Sequence, residues 1–341
     1  MPMVVPSIGY SAARPPSPTA VLPRLRLGRL AVLPRAHCRL RDHMAPYKNI
    51  VCGTDLSDPS DVALRQAFAL AEAFGARLAI VHVATVHYGV GGGGAPIPPL
   101  SPLMDPEAFR KDADAQLQRQ VERVQTGFQA DLEVCIDSNS ESAAIVRFAE
   151  SREADLVVVG SKGATGLRRM LLGSVAESVV RHAPCSVLVA RPSPSSSQVL
   201  AATDLSKSSL PALSAAHAAA LRRNARLTVL HCMDFPPTMM AIGFAPMLPA
   251  DPEDPNSRVA QMKQADLQVR STLAGLGVTA EVLVEPGRAR GVIPDAAEQL
   301  SAELVVVGTH GRTGLTRMLL GSVAESVVRH APCSVLVVRA H

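Results

Sequence analysis

Residues 154–190, ADLVVVGSKGATGLRRMLLGSVAESVVRHAPCSVLVA, and residues 302–338, AELVVVGTHGRTGLTRMLLGSVAESVVRHAPCSVLVV, decide the fold. The two stretches are identical without interruption from Arg169 to Val189 and from Arg317 to Val337. Further upstream, GTDLS (53–57) pairs with ATDLS (202–206), and VHV (81–83) with LHC (230–232). A period that long is the size of a domain. It marks a duplication and not a solenoid of short repeats. PSPSSSQ (192–198) reads as a linker between the copies. The expected organisation is therefore a leader over 1–44, a first domain over 45–191, the linker 192–198 and a second domain over 199–341.

Each copy alternates strand and helix signals. In the first, the apolar run Asn49–Gly53 predicts a strand, and Ser57-Asp58-Pro59 predicts a helix cap followed by an early proline. Ala63, Leu64, Ala67, Phe68 and Ala71 recur at helical spacing, and Gly75 stands where a helix would end. Strands are expected at Arg77–Val83, Leu132–Ile136, Leu156–Val159 and Ser186–Ala190. Helices are expected at about 105–128, near Ala143–Ala149 and from Ser174. Such alternation implies α/β architecture: a mostly parallel, doubly wound sheet with helices on both faces. LVVVG and SVLVA, apolar throughout, suit strands buried on both sides.

The chemistry concentrates in Gly160-x-x-Gly163-x9-Gly173-Ser174 and its copy Gly308-x-x-Gly311-x9-Gly321-Ser322. Each begins where a buried strand ends and finishes where a helix begins. Doubly wound sheets bind ligands outside the carboxyl ends of their strands. Glycine there lets backbone approach a ligand, and a helix N-terminus offers free N–H groups and a positive dipole end to phosphate. Ser174-Val-Ala-Glu177 and Ser322-Val-Ala-Glu325 also read as capping boxes, which would make each serine an N-cap. Asp55 and Asp204, just past the first strand of each copy, read either as turn acids or as carboxylates for ribose hydroxyls. No GxxxxGK[ST] is present, and no GxGxxG follows the first strand, so neither a P-loop nor a dinucleotide Rossmann site is indicated.

These loops, the openings NIVCGTDLS and VLAATDLS, and the ending APCSVLVxR together resemble the universal stress proteins of the ATP-binding subgroup, over nearly all of residues 46–339. The resemblance implies a five-stranded parallel sheet per copy in the order 3-2-1-4-5. It implies ribose contact from Asp55 and Asp204, and main-chain contact with adenine at Val83 and Cys232. It implies phosphate contact from Gly160, Gly163, Gly173 and Ser174, and from Gly308, Gly311, Gly321 and Ser322. ATP, with or without magnesium, is the implied ligand, with little or no hydrolysis. Family members pair through their last strands, so a tandem chain can make that pairing within itself, and a homodimer is a further option. The copies differ at Asn139 against Gly287, and at Lys162, Ala164 and Arg168 against His310, Arg312 and Thr316.

Composition narrows the alternatives. Trp is absent and aromatic residues total 3%, which leaves no stacking platform for single-stranded nucleic acid. Seven arginines and one acid, Asp42, make residues 1–44 basic, and the rest is nearly neutral, without an electrostatic footprint for a duplex. The leader reads either as a transit peptide or as an extension upstream of a start at Met44. No apolar run is long enough to span a bilayer. The six cysteines form no CxxC pair and sit mostly in apolar runs, which suits a reducing cytoplasm. His82, His231, His182 and His330 read as hydrogen-bonded strand-end and helix-end residues, and no metal-ligand spacing or nucleophile–base pair stands out. The expected function is a cytoplasmic ATP-binding regulator or partner-binder in stress, with an unknown protein partner. A weak ATPase or nucleotidyl-transfer enzyme and an empty structural dimerisation module are the rivals.

Overall fold

The computed structural model describes residues 47–85, 106–124, 127, 129–137, 140–161, 172–194, 196–235, 257–309 and 320–340. The first repeat runs β1 (Asn49–Thr54), α1 (Asp61–Phe74), β2 (Arg77–Thr85), α2 (Pro106–Val124), β3 (Asp131–Asp137), α3 (Glu141–Ser151), β4 (Leu156–Gly160), α4 (Ser174–His182) and β5 (Ser186–Ala190). The second runs β6 (Gln198–Ala202), α5 (Leu210–Arg223), β7 (Arg226–Met233), α6 (Arg258–Gly275), β8 (Glu281–Pro286), α7 (Ala289–Gln299), β9 (Leu304–Gly308), α8 (Ser322–His330) and β10 (Ser334–Val338). One ten-stranded sheet joins them in the order β3-β2-β1-β4-β5-β10-β9-β6-β7-β8. Each half thus has the 3-2-1-4-5 order, with parallel pairing inside it.

The halves meet at one antiparallel ladder, Val187–Val189 of β5 against Val335–Val337 of β10. Alternate side chains of each strand enter opposite layers, as the pleat requires. Ile50 and Cys52 join α1, α2, α5 and α6 on one face. Val51 joins α3, α4, α7 and α8 on the other. This explains why the central strands are apolar at every position: every residue of β5, β6 and β10 is buried.

Polar side chains reinforce the junction from both sides. The SVAESVVRH helices face each other, so Arg329 reaches Glu177 at 3.1 Å and Arg181 lies 3.9 Å from Glu325. Each arginine also pairs within its own helix, at 3.4 Å for Arg181–Glu177 and 3.3 Å for Arg329–Glu325. These four side chains are about one-third exposed, so the ring adds little beyond specificity of docking. Arg191, following β5, donates to the carbonyls of Val328 and Cys333 in the second repeat. Arg339, following β10, donates to the carbonyl of Arg181 in the first. Each repeat's last arginine therefore satisfies helix-end carbonyls of the other.

Local structure departs from expectation at the start of α1. A 3-10 turn, Asp58–Ser60, precedes the helix and holds Pro59, and the α-helix begins only at Asp61. Ser57 stands at the N-cap position of that turn, with the proline right behind it as expected, but makes no side-chain cap bond, and its hydroxyl donates to Asp55 Oδ1 at 2.6 Å. The far end is as expected. Gly75 adopts a left-handed φ of 64° and its amide closes on Ala71 and Glu72. Asn224 fills the same role after α5, at φ 49°. An added Cβ at Gly75 meets nothing within 4 Å, so a substitution there is penalised by backbone conformation alone. Gly75→Ala is expected to lower unfolding free energy in urea by about 1 kcal/mol. Gly75→Asn is expected to lower it by less, as asparagine tolerates this region.

Candidate functional site

β1 and β4 lie side by side, with Gly53 opposite Val159, and strand order reverses between them. A crevice at the carboxyl ends follows from that reversal. Asp55 leaves the end of β1 and Gly160 ends β4, so the two sequence-predicted positions flank it. β6 and β9 repeat the arrangement with Asp204 and Gly308.

The turn that carries each aspartate is the same in both repeats. Asp55 Oδ1 accepts the Ser57 amide at 3.2 Å and its hydroxyl at 2.6 Å. Asp204 Oδ1 accepts the Ser206 amide at 3.0 Å and its hydroxyl at 2.6 Å. The next residues, Leu56 and Leu205, sit at φ 64° and 62°. A branched apolar residue in this left-handed region costs about 1–2 kcal/mol. The strain is sustained by the preceding threonine: Thr54 Oγ1 accepts the Leu56 amide at 3.1 Å, and Thr203 Oγ1 accepts that of Leu205 at 3.0 Å. The left-handed conformation recurs at equivalent positions in both repeats, as it also does at Glu153 and Ser301 after α3 and α7. Thr54, Leu56, Thr203 and Leu205 were not singled out from the sequence, although the repeated TDLS was the available signal. Gly53, before this turn, leaves no spare room: a Cβ would stand 3.0 Å from Ile145 Cδ1.

The glycine loops are closed at their necks. Ser161 N–H donates to the Ala190 carbonyl at 3.1 Å, and its own carbonyl accepts Gly173 N–H at 2.9 Å. Thr309 does the same with Val338 and Gly321, at 3.1 and 2.8 Å. The amides of Gly173 and Gly321 are thus engaged in closing the loop. The amides presented next by α4 and α8 are those of Ser174 and Ser322 and their successors. The capping-box expectation is overturned. Gly173 and Gly321 are the N-caps, with extended φ/ψ and no side-chain cap bond, and Ser174 and Ser322 are the first helical residues. The reason lies in the neck, which fixes the glycine at the cap position. Glu177 and Glu325 turn instead to the arginines between the repeats.

Gly163 and Gly311 lie outside the described residues, as do Lys162, Ala164, Arg168, His310, Arg312, Thr316 and Asn139. Gly287 is described, at φ 126°, where a Cβ would come within 2.9 Å of Val292 Cγ2. Val83 stands one residue past the last β1 partner, His82 opposite Thr54. Cys232 stands two past the last β6 register partner, Leu230, whose carbonyl accepts Thr203 N–H at 3.0 Å. Main-chain groups alternate sides along a strand, so those of Cys232 face the same side as Leu230, beyond the end of β6. His82 and His231 are strand-end residues whose Nδ1 atoms lie 3.0 and 2.9 Å from the carbonyls of Thr54 and Thr203.

A cleft of about 1230 Å³ lies between the repeats. Ser161, Ala190 and Arg191 line it from the first repeat, and Arg290, Arg329 and His330 from the second. Among the described residues no group of three His, Cys, Asp or Glu side chains could hold a metal, and no helix is long and apolar enough to cross a membrane.

Fold and crevices together define a tandem, doubly wound α/β protein with a switch-point crevice in each repeat. The chain belongs to the universal stress protein family, whose model matches residues 46–191 and again 196–339. A universal stress protein of Mycolicibacterium smegmatis is 31% identical over 303 residues, covering 85% of this chain and 96% of that protein. One from Mycobacterium tuberculosis is 36% identical over 201 residues, and there the match covers 55% of this chain and 63% of the relative's length. The solved structure of a universal stress protein from Archaeoglobus fulgidus shares the fold at a TM-score of 0.57 and 21% identity, covering 85% of this chain and 96% of that one.

The described cysteines are free thiols. Burial pushes the thiols of Cys52, Cys185, Cys232 and Cys333 up to about 12, and for Cys232 the nearby Glu285 adds to the effect. In the unfolded chain a thiol titrates near 8.5. Between roughly pH 9 and 12 the unfolded chain has released these protons and the folded chain retains them, so their contribution to stability is full below pH 8 and falls as pH rises. Urea unfolding is therefore expected to show lower stability at pH 10 than at pH 8. The decline should be shallower in a Cys333→Ala variant.

Proposed function

We propose that each repeat binds one ATP in the crevice between its first and fourth strands, and that the protein acts by binding and not by turnover. In this reading Asp55 and Asp204 accept hydrogen bonds from ribose hydroxyls. Main-chain groups at Val83 and Cys232 meet the adenine edge. The phosphates lie against Gly160, Gly163, Gly173 and Ser174 in one repeat, and against Gly308, Gly311, Gly321 and Ser322 in the other. Magnesium would neutralise phosphate charge if it accompanies the nucleotide.

The observation that carries the reading is the pair of strained turns. Leu56 and Leu205 are held left-handed beside an aspartate, at the switch point and across from an uncapped helix N-terminus. A carboxylate on one side suits hydroxyl donors, and a helix N-terminus on the other suits an anion. A ribose phosphate presents both. In this reading the phosphates meet backbone amides at the helix N-terminus, an arrangement that suits binding. The physiological role would be that of a stress-responsive regulator in the cytoplasm whose partner surface depends on the nucleotide.

Freshly purified protein is expected to release ATP on denaturation, up to two per chain, and to bind it again in calorimetry after stripping. Gly163→Val combined with Gly311→Val should abolish the signal by placing side chains in both loops. Undiminished binding by that double variant would refute the assignment of the loops.

A further inference from the structure

We propose that the groove between α1 and α5, over the β5–β10 ladder, binds a long-chain fatty acid, with its carboxylate at Arg222 and its tail along the leucines of the sheet. The groove is lined by residues at the amino ends of β1, β4, β6 and β9, among them Tyr47, Leu156, Ser197 and Leu304. The crevices lie at the carboxyl ends, so this inference is independent of the nucleotide reading.

The two faces of the junction are covered differently. On one, Val187, Val189, Val335 and Val337 pack with α4 and α8. On the other, Leu188 and Leu336 stand opposite each other in the ladder, and α1 and α5 lie to either side. Those two helices turn alanines to the space between them: Ala69 and Ala73 of α1, Ala215 and Ala219 of α5. Methyl groups do not bridge the gap. A groove of about 510 Å³ is left, floored by Leu156, Leu188, Leu304 and Leu336. That volume falls in the ~300–1,000 Å³ range of small-molecule sites. The four leucines are at most 6% exposed, so the space above them is narrow. Such a shape suits an unbranched chain better than a ring system.

The rim is cationic. Arg65, Arg222 and Arg223 line the groove against one carboxylate, Glu303. Arg223 pairs with Glu303 at 3.4 Å and Arg65 with Asp61 at 3.5 Å. Among the described residues no carboxylate pairs with Arg222. Its guanidinium carbon lies 3.9 Å from the centroid of the Phe74 ring, which Tyr47 meets edge-on at 5.1 Å. Partial burial lowers the Arg222 guanidinium from its ordinary value, an effect that Tyr47 opposes and the like charge of Arg223 adds to. A carboxylate at this point offsets both the burial and the like charge. The duplication does not dictate the arrangement. Ala73-Phe74 and Arg222-Arg223 hold equivalent positions, before the left-handed caps Gly75 and Asn224. One repeat supplies the ring and the other the cation, so the head-group position exists only where the repeats dock. An aliphatic chain ending in a carboxylate matches both parts of the groove.

The test titrates the full chain with palmitate below its micellar concentration, and in parallel with hexadecanol, by displacement of a fluorescent fatty acid. Palmitate is expected to bind saturably at a single site per chain. It should bind more tightly than octanoate, because each added methylene buries more apolar surface. Arg222→Gln, at an exposed helix position, is expected to weaken palmitate about tenfold and leave hexadecanol unchanged. Ala69→Leu, which fills the groove from an exposed wall position, is expected to weaken both ligands. Ala219→Leu fills it from the opposite wall, so the prediction does not depend on one variant folding. No saturable binding by the parent protein, undiminished binding in the folded alanine variants, or equal losses of palmitate and hexadecanol on Arg222→Gln would each overturn the proposal.

Discussion

The pairing of Val187–Val189 with Val335–Val337 is the contact on which the rest of the molecule depends. β5 and β10 are apolar at every position and buried throughout. Left as edges, they would present unpaired N–H and C=O groups along a flat, hydrophobic strand, the usual template for uncontrolled association. Duplication resolves this by making each edge the partner of the other. The antiparallel sense of that ladder also points the carboxyl ends of the two parallel sets in opposite directions. The two crevices therefore open on opposite edges of one sheet. Arg191 and Arg339, each satisfying helix-end carbonyls of the other repeat, fix the docking that the ladder begins.

Within each repeat the sheet imposes the site. Parallel strands buried on both faces need helices on both sides, and the winding must reverse once. That reversal brings the end of β1 beside the end of β4, so residues more than 100 positions apart, Asp55 and Gly160, flank one crevice. Two local devices then shape it. A threonine hydroxyl captures the amide of a left-handed leucine, and a loop neck is closed by a single backbone bond from glycine to the carbonyl at the strand end. Neither device needs a large apolar area.

Much of this was legible in the sequence, for identifiable reasons. The 3-2-1-4-5 order came with the family resemblance, and the element order came from apolar runs too short for helices alternating with residues at helical spacing. Gly75 announced the end of α1 because left-handed caps select glycine. Other features could not be read. Ser174-Val-Ala-Glu177 satisfies a capping-box pattern, yet the cap is Gly173, because a hydrogen bond from Gly173 to Ser161 outweighs the local preference of the serine. Ser57 takes the N-cap position of the turn before α1, but the neighbouring carboxylate holds its hydroxyl in place of a cap bond.

The sequence by itself determined the duplication, the layered α/β class and the glycine-lined strand-to-helix connections, since those depend on periodicity, on buried runs and on backbone freedom that only glycine has. Tertiary structure decided which amides are engaged and which open the helices, that Leu56 and Leu205 are strained, and that Gln120 of α2 reaches Thr54 at the first turn. Those facts arise from contacts between residues such as Thr54 and Gln120, far apart in the chain and unremarkable in type. No local pattern encodes them, because hydrogen-bond geometry is fixed only after the helices have packed on the sheet.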